Sequence, residues 1–189
     1  MSRVLFTSDM HYGHRNIIRY CARPFADVDE MRETLVARWN EAVKPEDRVY
    51  VLGDFSLDKR QLQEILPRLS GEKHLIAGNH DLCHPSRKRI AKFTQLYLDA
   101  GFASVSVESF LDVDGQRIRL HHLPYRGDST KVERYREFRP VDDGLWLFHG
   151  HVHEVWKVRD RQINVGVDQW DFRPVALETL MEIVRGVGS

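Results

Sequence analysis

The sequence has few of the features that mark secreted, membrane or nucleic-acid-coating proteins. It contains only two cysteines, Cys21 and Cys83, so neither a disulfide framework nor a cysteine-based zinc ribbon is predicted. No apolar run is long enough to span a bilayer, and the N-terminus lacks the apolar core of a signal peptide. The formal net charge is +0, which argues against general attraction to nucleic acid or anionic membranes. We therefore expect a cytoplasmic protein with no membrane partner.

The length and composition are those of a globular protein. With 189 residues, the chain can bury one substantial core, and we expect residues 1–189 to form a single domain. Hydrophobic residues make up 42% of the sequence and charged residues 30%, which is ordinary for a globular protein. The neutral charge balance does not exclude a phosphate substrate, because bound metal ions can supply positive charge locally.

The first hundred residues alternate between short apolar strands and amphipathic helices. The predicted strands are Arg3–Ser8, Arg48–Leu52 and Lys73–Ala77. Capping residues and apolar spacing predict helices from Asp27 or Asp29 to Val43, from Asp58 to Leu69 and from Arg89 to Ala100. This alternation is typical of parallel strands with helices packed outside them.

The second half of the chain is dominated by strand patterns. The predicted elements are strands Ser104–Val113, Gln116–His121, Leu145–Phe148, Val155–Val158 and Gln162–Val165 and a closing helix Val175–Val184. Asp114-Gly115 is a strong hairpin signal between the first two strands. The polar segment Arg126–Asp143 predicts either a mobile rim over a site or a solvated loop.

Five short segments rich in Asp, His and Gly each follow a predicted strand and so fall on loops at strand ends. They are Asp9-Met10-His11, Gly53-Asp54, Gly78-Asn79-His80-Asp81, His121-His122 and Gly150-His151-Val152-His153. Carboxylate and imidazole groups together favour divalent transition metals. One carboxylate can bridge two ions about 3.5–4 Å apart. The segments therefore predict a site for two metal ions that share one carboxylate.

The order of these five segments resembles that of the calcineurin-like metallophosphoesterase superfamily, and Thr7 to His14 resembles a small bacterial or phage-type branch of it. The resemblance implies an α/β (α+β) fold, a four-layer α-β-β-α sandwich of two mixed β-sheets flanked by helices. It also implies a phosphoester hydrolase that activates water with a dinuclear metal centre.

The resemblance assigns a ligand set to each ion. The first metal ion would be held by Asp9, His11, Asp54 and His153, and the second by Asp54, Asn79, His122 and His151. His121 and His122 are neighbours on a strand and point to opposite faces, so only one can face the ions, and His121 remains the alternative to His122. Manganese is the expected metal, with iron, zinc, nickel or cobalt as alternatives.

The resemblance also suggests residues that contact the substrate. His80 would protonate the leaving oxygen or stabilise charge on phosphorus, and Asp81 would orient the His80 ring. His14 and Asn16 would meet a phosphate oxygen or support Asp9, although capping of a short helix from Asn16 to Tyr20 explains them equally well.

The sequence leaves alternatives open for the substrate and for whether the protein is catalytic. A phosphodiesterase acting on nucleotides or nucleic acid ends is favoured, with a generic phosphomonoesterase close behind. A non-catalytic, metal-stabilised interaction module is the alternative of another class. The complete set of ligand positions and the presence of His80 favour catalysis. The sequence does not predict the oligomeric state.

Overall fold

Ten strands and five α-helices occupy residues 2–186, the part of the chain that the computed structural model describes. The strands are β1 (Val4–Thr7), β2 (Arg48–Val51), β3 (Glu72–Ile76), β4 (Ser104–Ser106), β5 (Glu108–Val113), β6 (Gln116–His121), β7 (Trp146–His149), β8 (Val158–Arg159), β9 (Gln162–Asn164) and β10 (Val175–Ala176). The helices are α1 (Arg15–Tyr20), α2 (Val28–Ala42), α3 (Lys59–Ile65), α4 (Ile90–Ala100) and α5 (Leu177–Gly186). No helix in this range combines the length and apolar character that a bilayer crossing requires.

The strands form two five-stranded sheets, and both are mixed. The order in the first sheet is β10-β1-β2-β3-β4, with β1 to β4 parallel and β10 antiparallel to β1. The order in the second sheet is β5-β6-β7-β9-β8, with two parallel pairs in the middle and an antiparallel pair at each edge. The predicted α/β fold with two mixed sheets and helices is confirmed.

Two apolar clusters determine how the layers pack. One cluster joins the first sheet to helices α1 to α4 and contains Val49 of β2 and Leu35 of α2. The other joins the two sheets, where Phe6 of β1 packs edge-on against Phe148 of β7 with 5.3 Å between ring centroids. Successive side chains of a strand point to opposite faces, so the central strands of the first sheet are buried on both sides.

The helix boundaries follow the capping signals in the sequence. The Asp27 carboxylate accepts hydrogen bonds from the backbone N–H groups of Asp29 and Glu30, both at 2.9 Å, and starts α2. Helix α4 ends at Ala100, and the capping residue Gly101 that follows has a φ of +122°, which is costly for any other residue. Helix α3 is shorter than predicted, because a 3-10 turn replaces its last turn at Pro67.

The prediction of a single strand Ser104–Val113 is wrong. The chain leaves the first sheet after β4, which pairs with β3, and enters the second sheet as β5, which pairs with β6. The apolar alternation continues through this crossing, so it does not reveal the change of partner. The Asp114-Gly115 hairpin is confirmed, since Val113 pairs with Gln116 on either side of it.

Two further boundaries differ from those predicted. Val175 and Ala176 form β10 beside β1, so the closing helix begins at Leu177. In the last hairpin the first strand is Val158–Arg159, later and shorter than the predicted Val155–Val158. Both differences involve two-residue strands, which are too short for a periodic pattern to show.

Candidate metal centre

The predicted ligand loops lie at the carboxyl ends of strands, and both sheets contribute. Asp9, Asp54 and Asn79 follow β1, β2 and β3 of the first sheet, whereas His122 and His151 follow β6 and β7 of the second. In open α/β sheets, ligands bind in the crevice outside the carboxyl ends of parallel strands. The fold therefore places these side chains at the common edge of the two sheets.

Asp54 lies at the centre of this arrangement. Its Oδ2 is 3.6 Å from Nε2 of His11 and 3.5 Å from Nε2 of His122. The ligand atoms of Asp9, Asp54 and His122 lie within 4.8 Å of one another, and so do those of Asp9, His11 and His153. Five of the seven predicted ligands are thus brought together, with one carboxylate between histidines from the two sheets.

Several ring nitrogens and side-chain oxygens of the predicted ligands lack a hydrogen-bond donor and face only other atoms with lone pairs. Both ring nitrogens of His11 are buried without a hydrogen-bond partner. Nδ1 of His122 donates to the Leu52 carbonyl at 2.7 Å, so in the neutral ring Nε2 carries a lone pair, 3.0 Å from Oδ1 of Asn79 and 3.5 Å from Oδ2 of Asp54. Buried lone pairs that face one another are costly unless a cation lies between them. The residues therefore fit divalent metal ions with nitrogen and oxygen ligands.

The backbone at the predicted ligands is unusual. Five of them have left-handed conformations, with φ of +59° at Asp9, +52° at His11, +53° at Asp54, +72° at His151 and +48° at His153. Such a conformation costs a residue other than glycine about 1–3 kcal/mol and persists where the surrounding structure enforces it. Its concentration at these residues indicates that the loops are shaped to direct the ligand side chains.

Burial and neighbouring charges shift the pKa values at the site in opposite directions. Burial lowers the pKa of His11 well below its usual value, which favours the neutral ring that binds metals. Burial would also lower the pKa of His153, but the Asp9 charge and the Asp168 carboxylate outweigh this effect and raise the pKa of His153 well above its usual value. Burial would raise the pKa of Asp54, but the facing His122 and His11 rings reverse this and lower it.

Asp81 joins two of the ligand loops. Its Oδ2 accepts from the backbone N–H groups of Asp54 and Gly78, both at 2.8 Å, and its Oδ1 accepts from the Tyr97 hydroxyl at 3.2 Å. The structure has no hydrogen bond between Asp81 and the His80 ring, so the predicted orienting contact is not formed. Burial and the Asp54 charge raise the pKa of Asp81 to about 7.

His80 lies beside the central carboxylate. Its backbone N–H donates to Oδ1 of Asp54 at 2.8 Å, and its ring centroid is 5.4 Å from that of His11. Burial lowers the pKa of His80, and the Asp54 charge opposes this effect. The ring is therefore held next to the ligand set without being part of either cluster of ligand atoms.

Two glycines allow the loops to approach this closely. A Cβ on Gly78 would lie 2.3 Å from Oδ1 of Asp54, and a Cβ on Gly150 would lie 2.0 Å from Oγ of Ser8 and 2.5 Å from Oδ2 of Asp9. Real Cβ atoms do not approach other atoms so closely. The glycines of these two segments are therefore required by packing between the loops.

The structure distinguishes the neighbouring histidines His121, the last residue of β6, and His122, which follows it. His122 faces Asp54 and Asn79, whereas Nδ1 of His121 accepts from the backbone N–H of Leu123 at 2.9 Å. His149, at the end of β7, donates from Nδ1 to the Gly150 carbonyl at 2.7 Å. The geometry thus favours His122 over His121 as the ligand.

Sequence reasoning missed a buried arginine and its carboxylate partner. Arg23 donates to the Asp9 carbonyl at 2.7 Å and to both Asp168 oxygens at 2.8 and 2.9 Å. Oδ2 of Asp168 is in turn 3.6 Å from Nδ1 of His153. Asp168 follows a predicted strand, as the ligands do, so the same rule applied once more would have found it. Arg23 lies on a loop without such a signal.

A cavity of about 340 Å³ opens over the ligand cluster. The residues that line it are His11, His14, Ile17, Tyr20, Cys21, His80, Ser129, Thr130, Arg134, His153 and Glu154. Of the two residues predicted to meet a phosphate, His14 lines the cavity and Asn16 is exposed on α1. His14 is also the residue before α1, but its side chain makes no capping hydrogen bond.

A mixed two-sheet fold whose strand-end loops gather carboxylate, amide and imidazole groups defines a protein suited to bind divalent metal ions. The chain belongs to the calcineurin-like phosphoesterase family, whose sequence profile matches residues 2–162. Members of this family use divalent metal ions to hydrolyse phosphoesters, so the protein is a metal-dependent phosphoester hydrolase.

Similar proteins come from phages, archaea and bacteria. The Gene 66 protein of Mycobacterium phage D29 is 36% identical over 202 residues, which cover 99% of this chain and 98% of the phage protein. An uncharacterized protein of Methanocaldococcus jannaschii is 31% identical over 195 residues, which cover 98% of this chain and 93% of the archaeal protein. The crystal structure of a protein of unknown function from Aquifex aeolicus matches 97% of this chain with a TM-score of 0.74 and 27% identity, over 100% of its own length.

Proposed function

We propose that the protein is a dinuclear phosphodiesterase that acts on nucleotides or nucleic acid ends. The observation that carries the dinuclear part is the position of Asp54 between His11 and His122, at 3.6 and 3.5 Å. A carboxylate with an imidazole nitrogen on either side is suited to bridge two cations, and the two unpartnered ring nitrogens of His11 support the same assignment.

The proposed ligand sets divide the loops between two ions. Asp9, His11, Asp54 and His153 would hold the first ion, and Asp54, Asn79, His122 and His151 the second. Manganese suits this mixture of imidazole and oxygen ligands, as do iron, zinc, nickel and cobalt. When bound, such ions neutralise phosphate oxygens and lower the pKa of a water molecule to about 7.

The proposed general acid, His80, lies next to the ligands. The backbone N–H of His80 donates to the Asp54 carboxylate at 2.8 Å, which helps to keep His80 in the lining of the cavity. From there His80 would deliver a proton to the departing oxygen. A phosphate anion in the cavity would favour the protonated ring and so offset the effect of burial on its pKa.

The cavity walls support a nucleotide-like substrate. Its lining includes the apolar Ile17 and the aromatic Tyr20, which is 59% exposed. It also includes Ser129, Thr130 and Arg134. An aromatic ring beside hydroxyl and cationic groups suits a base next to a phosphodiester. The net charge of +0 argues against a long duplex held through its backbone.

Activity measurements on reconstituted protein test this function. Metal-free protein would receive manganese, zinc or magnesium separately and then bis-nitrophenyl phosphate, nitrophenyl phosphate or cyclic nucleotides. We expect manganese-dependent hydrolysis, faster with the diester and the cyclic nucleotides than with the monoester. A preference for nitrophenyl phosphate would instead support the phosphomonoesterase. Metal binding without hydrolysis of any ester would support the non-catalytic interaction module.

A further inference from the structure

The polar segment Arg126–Asp143 is an insert outside the five ligand segments, and one of its carboxylates lies beside the proposed metal centre. The side chain of Asp128 is fully buried, and its Oδ2 lies 3.0 Å from Nε2 of His151. The same oxygen accepts from Nη2 of Arg139 at 3.0 Å, and Oδ1 accepts from Nη2 of Arg134 at 2.8 Å. Asp128 thus connects a proposed ligand of the second ion to two arginines of the insert.

The hydrogen bond determines which ring nitrogen of His151 is available to a metal ion. A carboxylate between two guanidinium groups is ionised and only accepts hydrogen bonds, so Nε2 of His151 must be the protonated nitrogen. Nδ1 then carries the only lone pair of the neutral ring.

Asp128 itself has no free oxygen for an ion. Besides His151 and the two guanidinium groups, it accepts from the backbone N–H of Arg134 at 2.9 Å and lies 3.4 Å from Oγ of Ser129. A ligand oxygen would have to give up these charged donors, which is costly in a buried position. The carboxylate is therefore suited to orient a ligand and not to be one.

The Asp128 carboxylate and its two arginines also hold the insert in place. Arg139, which is bound to Asp128, also donates to the carbonyls of Pro124 at 3.1 Å and Gly127 at 2.8 Å. Arg134 is fixed through three of its nitrogens, and it forms a cavity wall with Ser129 and Thr130. The wall that would face the substrate is thus attached to the His151 ring through one carboxylate.

We propose that Asp128 is a positioning residue that presents Nδ1 of His151 to the second metal ion and couples binding of that ion to the order of residues 126–143. This inference rests on the proposed dinuclear centre. Because coupling between two sites is reciprocal, an ion that orients His151 also stabilises the insert, and a loosened insert weakens that ion.

Manganese titration of Asp128→Asn and of the wild-type protein tests the proposal. Wild type should bind two ions, and the substitution should weaken one of them about 10- to 100-fold and leave the other unchanged. Manganese should also slow proteolysis within residues 126–143 in wild type but not in the variant. Glu133→Gln is the matched control, because Glu133 bonds the Gly127 N–H at 2.7 Å within the same insert without touching His151.

The outcomes separate this inference from the proposed function. Wild type that binds fewer than two ions would overturn both. Two ions in wild type with unchanged affinities in Asp128→Asn, or an equal loss in Glu133→Gln, would overturn the role of Asp128 alone.

A measurement on the unaltered protein does not depend on whether a variant folds. Nitrogen NMR of zinc-loaded wild type should show the proton of His151 on Nε2 and the ion on Nδ1. A proton on Nδ1 would contradict the proposal.

Discussion

At the scale of single residues, the centre is defined by atoms that lack ordinary partners. The His11 ring has two buried nitrogens without a hydrogen bond, and Nε2 of His122 faces an amide oxygen and a carboxylate. A core built only for stability would pair these atoms. Their arrangement around Asp54 is explained if cations complete it.

His80 should matter in proportion to how much the leaving group needs a proton. Nitrophenolate leaves without help, whereas a nucleoside alkoxide does not, and general acid catalysis contributes about 10²- to 10⁴-fold. We expect His80→Ala to lower kcat on a nucleoside phosphodiester by at least about 100-fold and on bis-nitrophenyl phosphate by less than about 10-fold. Equal losses on the two esters would show that His80 is not the acid.

His14→Ala is the control for this comparison. His14 lines the same cavity, and its ring centroid is 5.5 Å from that of His11, much as the His80 ring centroid is at 5.4 Å. Its loss should change the KM of both esters to a similar degree without altering their ratio of kcat values. The comparison therefore separates proton delivery from a general disturbance of the cavity.

Asp54→Asn should weaken both metal ions at once. The amide keeps the size of the carboxylate but has no negative charge, so its oxygen is a much weaker bridge between two cations. We expect titration with manganese to show loss of affinity at both sites and activity reduced by at least about 100-fold. Full occupancy with retained activity in this variant would contradict the bridging assignment.

At the scale of elements, the site depends on loops that approach each other without side chains between them. Gly78 lies against Asp54, and Gly150 lies against Ser8 and Asp9. The ligand loops belong to strands that are distant in sequence, and the glycines allow the two sheets to bring them to one edge.

Gly78→Ala should damage the centre more than the fold. The added methyl group would lie 2.3 Å from Oδ1 of Asp54, so the Asp54 carboxylate must move. We expect manganese affinity to fall at least about 10-fold, with overpacking costing about 1–3 kcal/mol of stability. Gly115→Ala is a suitable control, because its Cβ would meet nothing within 4 Å although its φ is also unfavourable at +76°. Unchanged manganese binding in Gly78→Ala would contradict this account.

The sequence predicts local elements better than their partners. Helix α2 could be predicted because Asp27 caps it and Met31, Leu35 and Trp39 form one buried face. The crossing between β4 and β5 could not, because strand alternation is the same in either sheet and pairing is set by distant residues. Asp128 was missed for a related reason. Its partner, His151, is 23 residues away in the sequence, and the insert that contains Asp128 has no periodic apolar pattern.

At the scale of the whole molecule, the centre joins the two sheets. Ligands from β1, β2 and β3 meet ligands from β6 and β7 at one edge, next to the cluster in which Phe6 packs against Phe148. Ions held there would crosslink the sheets, so folding and metal binding should be coupled.

Metal removal should therefore lower the thermal stability of the protein. An ion present at about 100 times its Kd adds about 2.7 kcal/mol to the free energy of unfolding. For a chain of this size about 1 kcal/mol changes Tm by about 2–4 °C, so two ions should raise Tm by about 10–20 °C. Calorimetry with manganese and with chelator would measure this difference, and equal Tm values would contradict the coupling.

The most direct test is anomalous diffraction from crystals of the manganese-loaded protein. The account expects two peaks about 3.5–4 Å apart, with the Asp54 carboxylate between them, His11 and His153 at one and His122 and His151 at the other. A single peak, or two peaks that do not share Asp54, would contradict it.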